Sequence, residues 1–353
     1  MANIYYDTDA DLDILKDKTI AFIGYGNQGR SQALNLRDSG IPKIIIGNVE
    51  DDYARQARED GFEVTSIPDA SKKGDIFFML IPDEYAPKVY TEEIEPHLKD
   101  GDILNFSSGY NITFDNIKPP DFVDIIMIAP RMVGQGVREM YESGEGYPSF
   151  VSWHKDHSGK AKEYTLAIAK GVGSTKKGAV EVTFADETYL DLLAEQGTWP
   201  LVMAVFDEVF KFEVEMGHPE EAALIELYMS KEPVFIFEKM VESGIFSQLK
   251  LHSHTSQYGQ LSGLVDVERH FIKNFLREKY RKIKSGEFAR EWEAEKDSDL
   301  AELKRLFSKA VDSEIGKAEA RVKERLSKKD YSTYEDMVKK VTEEVLKKLK
   351  DNS

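Results

Sequence analysis

From Lys18 to about Val182, short apolar runs alternate with windows in which apolar residues recur at helical spacing. The runs Thr19–Ile23, Lys43–Gly47, Phe62–Thr65, Asp75–Leu80, Asp102–Phe106 and Asp124–Ile128 read as strands. Several, such as Ile76-Phe77-Phe78-Met79-Leu80, are almost continuously apolar, as parallel strands covered on both faces are. Gln28–Asp38 and Tyr85–Leu98 read as helices between them. This alternation predicts an α/β fold with an N-terminal Rossmann-type, doubly wound parallel sheet. Past Phe184 the strand pattern stops. Glu187–Gln196, Leu201–Met216, Pro219–Met229, Val234–Ser243, Val267–Ser285 and Leu300–Lys328 all read as helices, so an all-α domain follows. The expected division is 1–182 for the dinucleotide domain, 183–328 for an all-α substrate and metal domain, and 329–353 for a C-terminal extension. That extension opens with a capping-box pattern at Ser332-Thr333-Tyr334-Glu335. Met337, Val341, Val345 and Leu349 then mark one face of a helix that packs on the body or on a partner subunit.

Charge narrows the function. The net charge is -17, which argues against binding nucleic acid or an anionic membrane. The chain has no cysteine, so disulfide and thiolate chemistry are excluded. The polar, acidic Met1–Lys18 stretch is unlike a targeting peptide, and no apolar run is long enough to span a bilayer. A cytoplasmic protein is expected.

Strand Thr19–Ile23 runs straight into Gly24-Tyr25-Gly26-Asn27-Gln28-Gly29, which opens a helix. In such a turn the first Gly allows the tight bend, the second lets backbone approach a pyrophosphate, and the third lets helix pack on strand. The helix N-terminus supplies free N–H groups to the anion. At the end of the second strand, Glu50 and Asp51 are placed to accept from a ribose diol and to repel the 2′-phosphate of NADP. Equally, these acids suit the first turn of the following helix. NADH is therefore expected to be preferred over NADPH.

The run IGYGNQGRSQALNLRDSG resembles the opening of the ketol-acid reductoisomerases. LIPDEYAPKVYTEEIEPHLKDGDIL, GYNITF, IAPRMVGQGVREMYESGEGYPSFV and DLLAEQ continue the match, which spans about residues 15 to 325. The resemblance implies a Rossmann domain followed by a knotted all-α domain, usually in dimers or larger assemblies. It also implies NAD(P)H and two Mg²⁺ ions, which isomerise an acetohydroxy acid and then reduce the ketone in branched-chain amino-acid biosynthesis. Within the matching motifs, Gly24, Tyr25, Gly26, Gln28, Gly29, Glu50, Asp51, Pro82, Ser107 and Gly109 become the cofactor-binding candidates.

Glu187, Asp191 and Glu195 follow one another at four-residue spacing and share a helix face. Taken alone they suit a solvated acidic face; a hard cation such as Mg²⁺ would also favour their oxygens. By resemblance Asp191, Glu195 and Glu226 match metal ligands, Glu226 also meeting substrate, and Ser253 matches a substrate-contacting serine. Several positions depart from the family. Ser230 stands where a fourth carboxylate ligand is usual, Ser108 where His is usual, and Arg131 where Lys is usual. Met132-Val133 replaces Gly-Pro, and Gln135 replaces His. Arg131 keeps its charge and offers a planar fork suited to a carboxylate. Asp191, Glu195, Arg131 and Ser108 are accordingly the catalytic candidates. His252 and His254 form a pair without a third ligand nearby. His154 and His157, about a seventh sheet segment, read as surface residues. The leading expectation is an NAD(P)H-dependent reductase of a small 2-keto or hydroxy-keto acid, with the isomerase step altered or lost and one Mg²⁺ or Arg131 polarising the substrate. The alternatives are an authentic ketol-acid reductoisomerase and a catalytically silent dinucleotide-binding scaffold.

Overall fold

The structure is a computed structural model that describes residues 1–326; the C-terminal extension expected at 329–353 lies outside the described residues. The strands are β1 (Ile4–Tyr5), β2 (Ile20–Ile23), β3 (Ile44–Gly47), β4 (Glu63–Thr65), β5 (Ile76–Met79), β6 (Ile103–Phe106), β7 (Asp124–Pro130), β8 (Ser149–Lys155) and β9 (Ala179–Glu181). Among the described residues they form one nine-stranded sheet in the order β1-β9-β8-β7-β6-β5-β2-β3-β4. The stretch from β7 to β4 is parallel throughout. Next to β7, β8 runs antiparallel; β9 lies parallel to β8, and β1 closes that edge antiparallel to β9. The order of succession reverses between β2 and β5, and ligands of open α/β sheets bind at that switch point, beyond the strands' carboxyl ends.

Both faces of the sheet are dry. Phe22 and Phe78 stack at 4.2 Å between ring centres on one face, under α1 (Asn27–Asp38). Ala21, Phe77, Leu104 and Met127 fill the other. The helices α2 (Asp52–Glu59) and α3 (Ile67–Lys73) link the strands beyond β3. The Tyr85–Leu98 window is not one helix: α4 (Ala86–Val89) passes into a π-helical turn at Tyr90–Ile94 and then a 3₁₀ turn at Glu95–His97. Pro96, which has no N–H to donate, stands where the α-helical ladder has given way. After β6 comes the short α5 (Tyr110–Thr113); α6 (Gly134–Glu142) and α7 (Ala161–Val172) follow β7 and β8.

The described chain divides into two compact units, residues 1–197 with 276–296, and residues 198–275 with 297–326. The first unit takes in α8 (Phe184–Leu193), whose N-cap Thr183 forms a reciprocal capping box with Asp186. The second unit holds α9 (Trp199–Glu215), α10 (Glu220–Leu224), α11 (Glu232–Ser243) and α12 (His254–Asp266). Next, α13 (Arg269–Lys284) and α14 (Glu287–Asp297) lead back to the first unit, where Ile283 and Trp292 pack with Tyr110 and Leu192. In place of the single helix expected over 300–328, α15 (Ala301–Val311) ends at Asp312 and α16 (Glu314–Leu326) starts afresh. Phe210, Leu224, Ala318 and Val322 make a small core in the second unit. No helix among the described residues is long and apolar enough to cross a membrane.

Candidate active site

The glycine turn is tight because its backbone leaves no alternative. Gly24 sits at φ +98°, and a Cβ there would come within 2.7 Å of the Leu80 carbonyl oxygen. A Cβ on Gly29 would meet the Gly24 carbonyl oxygen at 2.4 Å, so this glycine lets α1 approach β2. Gly26 has nothing within 4 Å of its Cβ position: the space is open where a pyrophosphate needs bare backbone. Tyr25 is buried, and its hydroxyl donates to Asp60, which Arg30 grips through two hydrogen bonds of 2.7 and 3.0 Å. Burial and that carboxylate keep the Tyr25 phenol protonated.

A cavity of about 940 Å³ runs from Gly24, Gly26 and Gln28 past Asn48 and Asp51 at one end to Pro82, Asp83, Ser107 and Ser108 at the other. Of the acids after β3, only Asp51 lines it. Its Oδ1 accepts from the Ala54 N–H at 2.9 Å and from Asn48 Nδ2 at 2.8 Å, capping α2. Glu50 turns away into a two-pronged pair with Arg58, and Asp52 pairs with Arg55.

At the other end, an amide chain ties α1 to the loop after β6. Gln28 donates to the Met132 carbonyl at 3.0 Å, while Gln32 donates to Gln28 at 3.0 Å and to the Ser107 hydroxyl at 3.2 Å. Ser108 accepts from the Tyr110 N–H at 3.2 Å. The loop is clamped to α8, because the Gly109 N–H donates to Glu187 Oε2 at 2.7 Å. No larger residue fits there: a Cβ on Gly109 would lie 2.4 Å from the Phe184 carbonyl oxygen.

Arg131 leaves the end of β7 and bridges two acids of α8. Its Nη1 donates to Asp191 Oδ1 and its Nη2 to Glu187 Oε1, both at 2.9 Å; its Nε donates to the Ala129 carbonyl at 3.3 Å. The guanidinium also lies over the Phe150 ring, 4.8 Å from its centre. Glu187 is fully buried, and burial pushes its carboxyl up to about 7 against the pull of the Gly109 N–H and Arg131. Glu195, one turn beyond Asp191, is raised by burial and by the Asp191 charge. Asp83 accepts from Asn111 Nδ2 at 2.8 Å and is pushed up to about 6, first by desolvation, then by Glu84, Asp191 and Glu195.

The remaining candidates fall elsewhere. Glu226, on the π-helical turn Ile225–Met229, and Ser230, which ends it, belong to the second unit. Ser253, also of that unit, caps α12 by accepting from the Ser256 N–H at 3.3 Å. Gln135 spends its amide on Glu139 at the surface of α6, and Val133 is exposed. The His252 ring bonds Gln248, the His157 ring bonds Asp100, and His154, within β8, packs on Phe184. Sequence reasoning assigned nothing to Asp83, Gln32 or Asn111. Asp83 directly follows Pro82, which it did assign; the other two lie on helices whose cleft-facing side only the fold defines.

The glycine cradle fits a dinucleotide. The acids fit a divalent ion less fully. Both oxygens of Glu187 and one of Asp191 are already bonded, which leaves Asp191 Oδ2 and the Glu195 carboxylate. Among the described residues no three His, Cys, Asp or Glu side chains gather as a metal site.

A Rossmann sheet whose open pyrophosphate cradle leads into a cleft reaching Asp83, Ser107 and Ser108 defines an NAD(P)-dependent oxidoreductase. Residues 14–178 match the family model described as acetohydroxy acid isomeroreductase, NADPH-binding domain, and residues 184–328 match that of the ketol-acid reductoisomerase C-terminal domain. The chain is 41% identical over 320 residues to a ketol-acid reductoisomerase (NADP(+)) of Pyrococcus abyssi, covering 90% of this chain and 95% of that protein. It is 43% identical to a putative ketol-acid reductoisomerase 3 of Saccharolobus solfataricus, covering 91% and 97%. The structure of an NADH-preferring ketol-acid reductoisomerase from an uncultured archean superposes with a TM-score of 0.85 at 36% identity, covering 91% and 98%. The chain belongs to the ketol-acid reductoisomerase family.

Proposed function

We propose that the chain is a working ketol-acid reductoisomerase, which converts 2-acetolactate to 2,3-dihydroxyisovalerate with a reduced nicotinamide coenzyme and Mg²⁺. The names carried by the relatives weigh toward this complete reaction rather than toward the altered reductase. The observation that carries it is the clamp between Gly109 and Glu187, which fastens the carbonyl end of the coenzyme cleft to the helix bearing Asp191 and Glu195. The coenzyme supplies the hydride; the protein supplies orientation and electrostatics. Asp191 and Glu195 would hold Mg²⁺, which would supply a Lewis acid to the substrate's oxygens. Asp83, pushed up to about 6 by desolvation and by these acids, is the group placed to pass a proton to the alcohol that reduction creates.

Asp51 supports NADH as the preferred coenzyme, since a 2′-phosphate beside it would meet a like charge at short range. A second reading, reduction without alkyl migration, is favoured by Arg131's hold on Asp191. The test is coenzyme oxidation with Mg²⁺ on two substrates, 2-acetolactate and its rearranged 3-hydroxy-2-keto isomer. Turnover of both sustains the complete reaction; turnover of the isomer alone replaces it with the reductase, and turnover of neither removes both. The exposed apolar residues of the second unit support a homodimer or larger homo-oligomer, and the acidic net charge fits a cytoplasmic enzyme.

A further inference from the structure

The guanidinium of Arg131 occupies the space beside Asp191 Oδ1, an oxygen that a carboxylate shared by two ions would have to give to one of them. Two divalent ions held about 3.5–4 Å apart require close, common ligands, and a carboxylate that bridges them gives one oxygen to each. Asp191 Oδ1 already accepts from Arg131 Nη1 at 2.9 Å, and Glu187 has no oxygen to spare. The arginine itself is fixed on three sides, by the two carboxylates, by the Ala129 carbonyl and by the Phe150 ring. Only a quarter of its side chain is exposed. Unlike an ammonium, a guanidinium is planar, stays charged and presents two forked arms, so it can hold both acids at once. An ion seated against Asp191 Oδ1 would have to displace it and leave the buried Glu187 unpaired.

We propose that Arg131 is a resident cation that holds Asp191 in place of a second divalent ion, so that this chain does not assemble a two-ion centre. The inference rests on the reading above that α8 faces the reacting end of the cleft. It departs from the pair of ions that the family implies. In the resting protein the positive charge on one side of the acids is then permanent and independent of metal concentration.

The test is Mn²⁺ binding to the full chain, counted by equilibrium dialysis and followed by electron paramagnetic resonance, with NADH binding measured on the same samples. The wild type is expected to show no spin-coupled pair of ions at any loading. Arg131→Gln is expected to bind Mn²⁺ at least tenfold more tightly, because Asp191 is released and a repelling charge is gone. Should that variant be unstable with Glu187 left unpaired, Arg131→Gln with Glu187→Gln keeps a neutral acceptor for the Gly109 N–H, and the same tenfold gain is expected. A coupled pair in the wild type overturns the proposal, as does unchanged Mn²⁺ affinity in the folded variant. Failure of the functional reading looks different: NADH would not bind, or no substrate would turn over, whatever the ion count.

Discussion

The two units spend their apolar residues in opposite ways. In the first, Phe22, Phe77, Phe78, Ile126 and Met127 are sealed between sheet and helices, with no exposed surface. In the second, Trp199 and Phe212 on α9 are 55% and 59% exposed, and Val241 on α11 reaches 89%. On α12, Tyr258, Leu261 and Val265 follow helical spacing and are 77%, 47% and 81% exposed. A helix that is apolar along a stripe must cover that stripe. The sheet unit therefore completes its core alone, whereas the described part of the helical unit leaves an apolar surface for something else to cover, in keeping with a second copy of the chain.

The comparison can be broken by substitutions that separate the two kinds of stability. The largest effect is expected from Phe78→Ala, which opens a cavity in a fully buried stack and should cost roughly 3–5 kcal/mol. Its melting temperature should fall by the same amount at every protein concentration; a concentration-dependent fall would show that the sheet core also leans on assembly. For a chain that pairs through the α12 stripe, Val265→Asp should leave the sheet unit folded, lower the sedimentation coefficient to that of a monomer and cost at least tenfold in activity. An unchanged sedimentation coefficient and unchanged activity would remove the α12 stripe from any interface.

Smaller effects sharpen the picture inside the sheet unit. Asp51→Ala should shift the ratio of the NADH and NADPH dissociation constants about tenfold in favour of NADPH, read at one salt concentration. A ratio that does not move would return Asp51 to a purely capping role. The smallest concerns Asp102, buried at the start of β6, where it accepts from the Lys99 N–H at 2.7 Å. Burial pushes its carboxyl up to about 6, above the roughly 3.9 of an unfolded chain. The folded form thus holds the proton more tightly. The stability this contributes is complete below about pH 4 and is lost as pH rises through 6, on the order of 1–3 kcal/mol. Asp102→Asn should therefore show a smaller drop in melting temperature between pH 4 and pH 8 than the wild type, and an equal drop would discount the shift.

How much of this was legible in the sequence depended on burial. Strands β2, β3 and β5 to β7 are buried on both faces, so their apolar runs stand out, and they were found to within a residue or two. At the sheet edge, β1 and β9 have two and three residues and carry no such signal. Helix α12 was missed because Gly259, Gly263 and its serines weaken helical propensity. The broken helix at Tyr85–Leu98 was foreseeable from Pro96. In the site, the glycine turn could be read from spacing; spacing put Glu187, Asp191 and Glu195 on one helix face, but only the family resemblance singled out Asp191 and Glu195. The clamp between Gly109 and Glu187 could not, because 78 residues separate its partners and nothing local encodes their meeting.

The sheet's margins constrain how copies of this chain can meet. At one margin β1 is two residues long; at the other β4 is three, and its Glu63 pairs with Lys73. So short and charged a rim offers a neighbouring backbone almost no ladder on which to zip. Chains that join must do so through side chains on helices, and the coenzyme-bearing layer is spared the runaway strand pairing that threatens any wide open sheet.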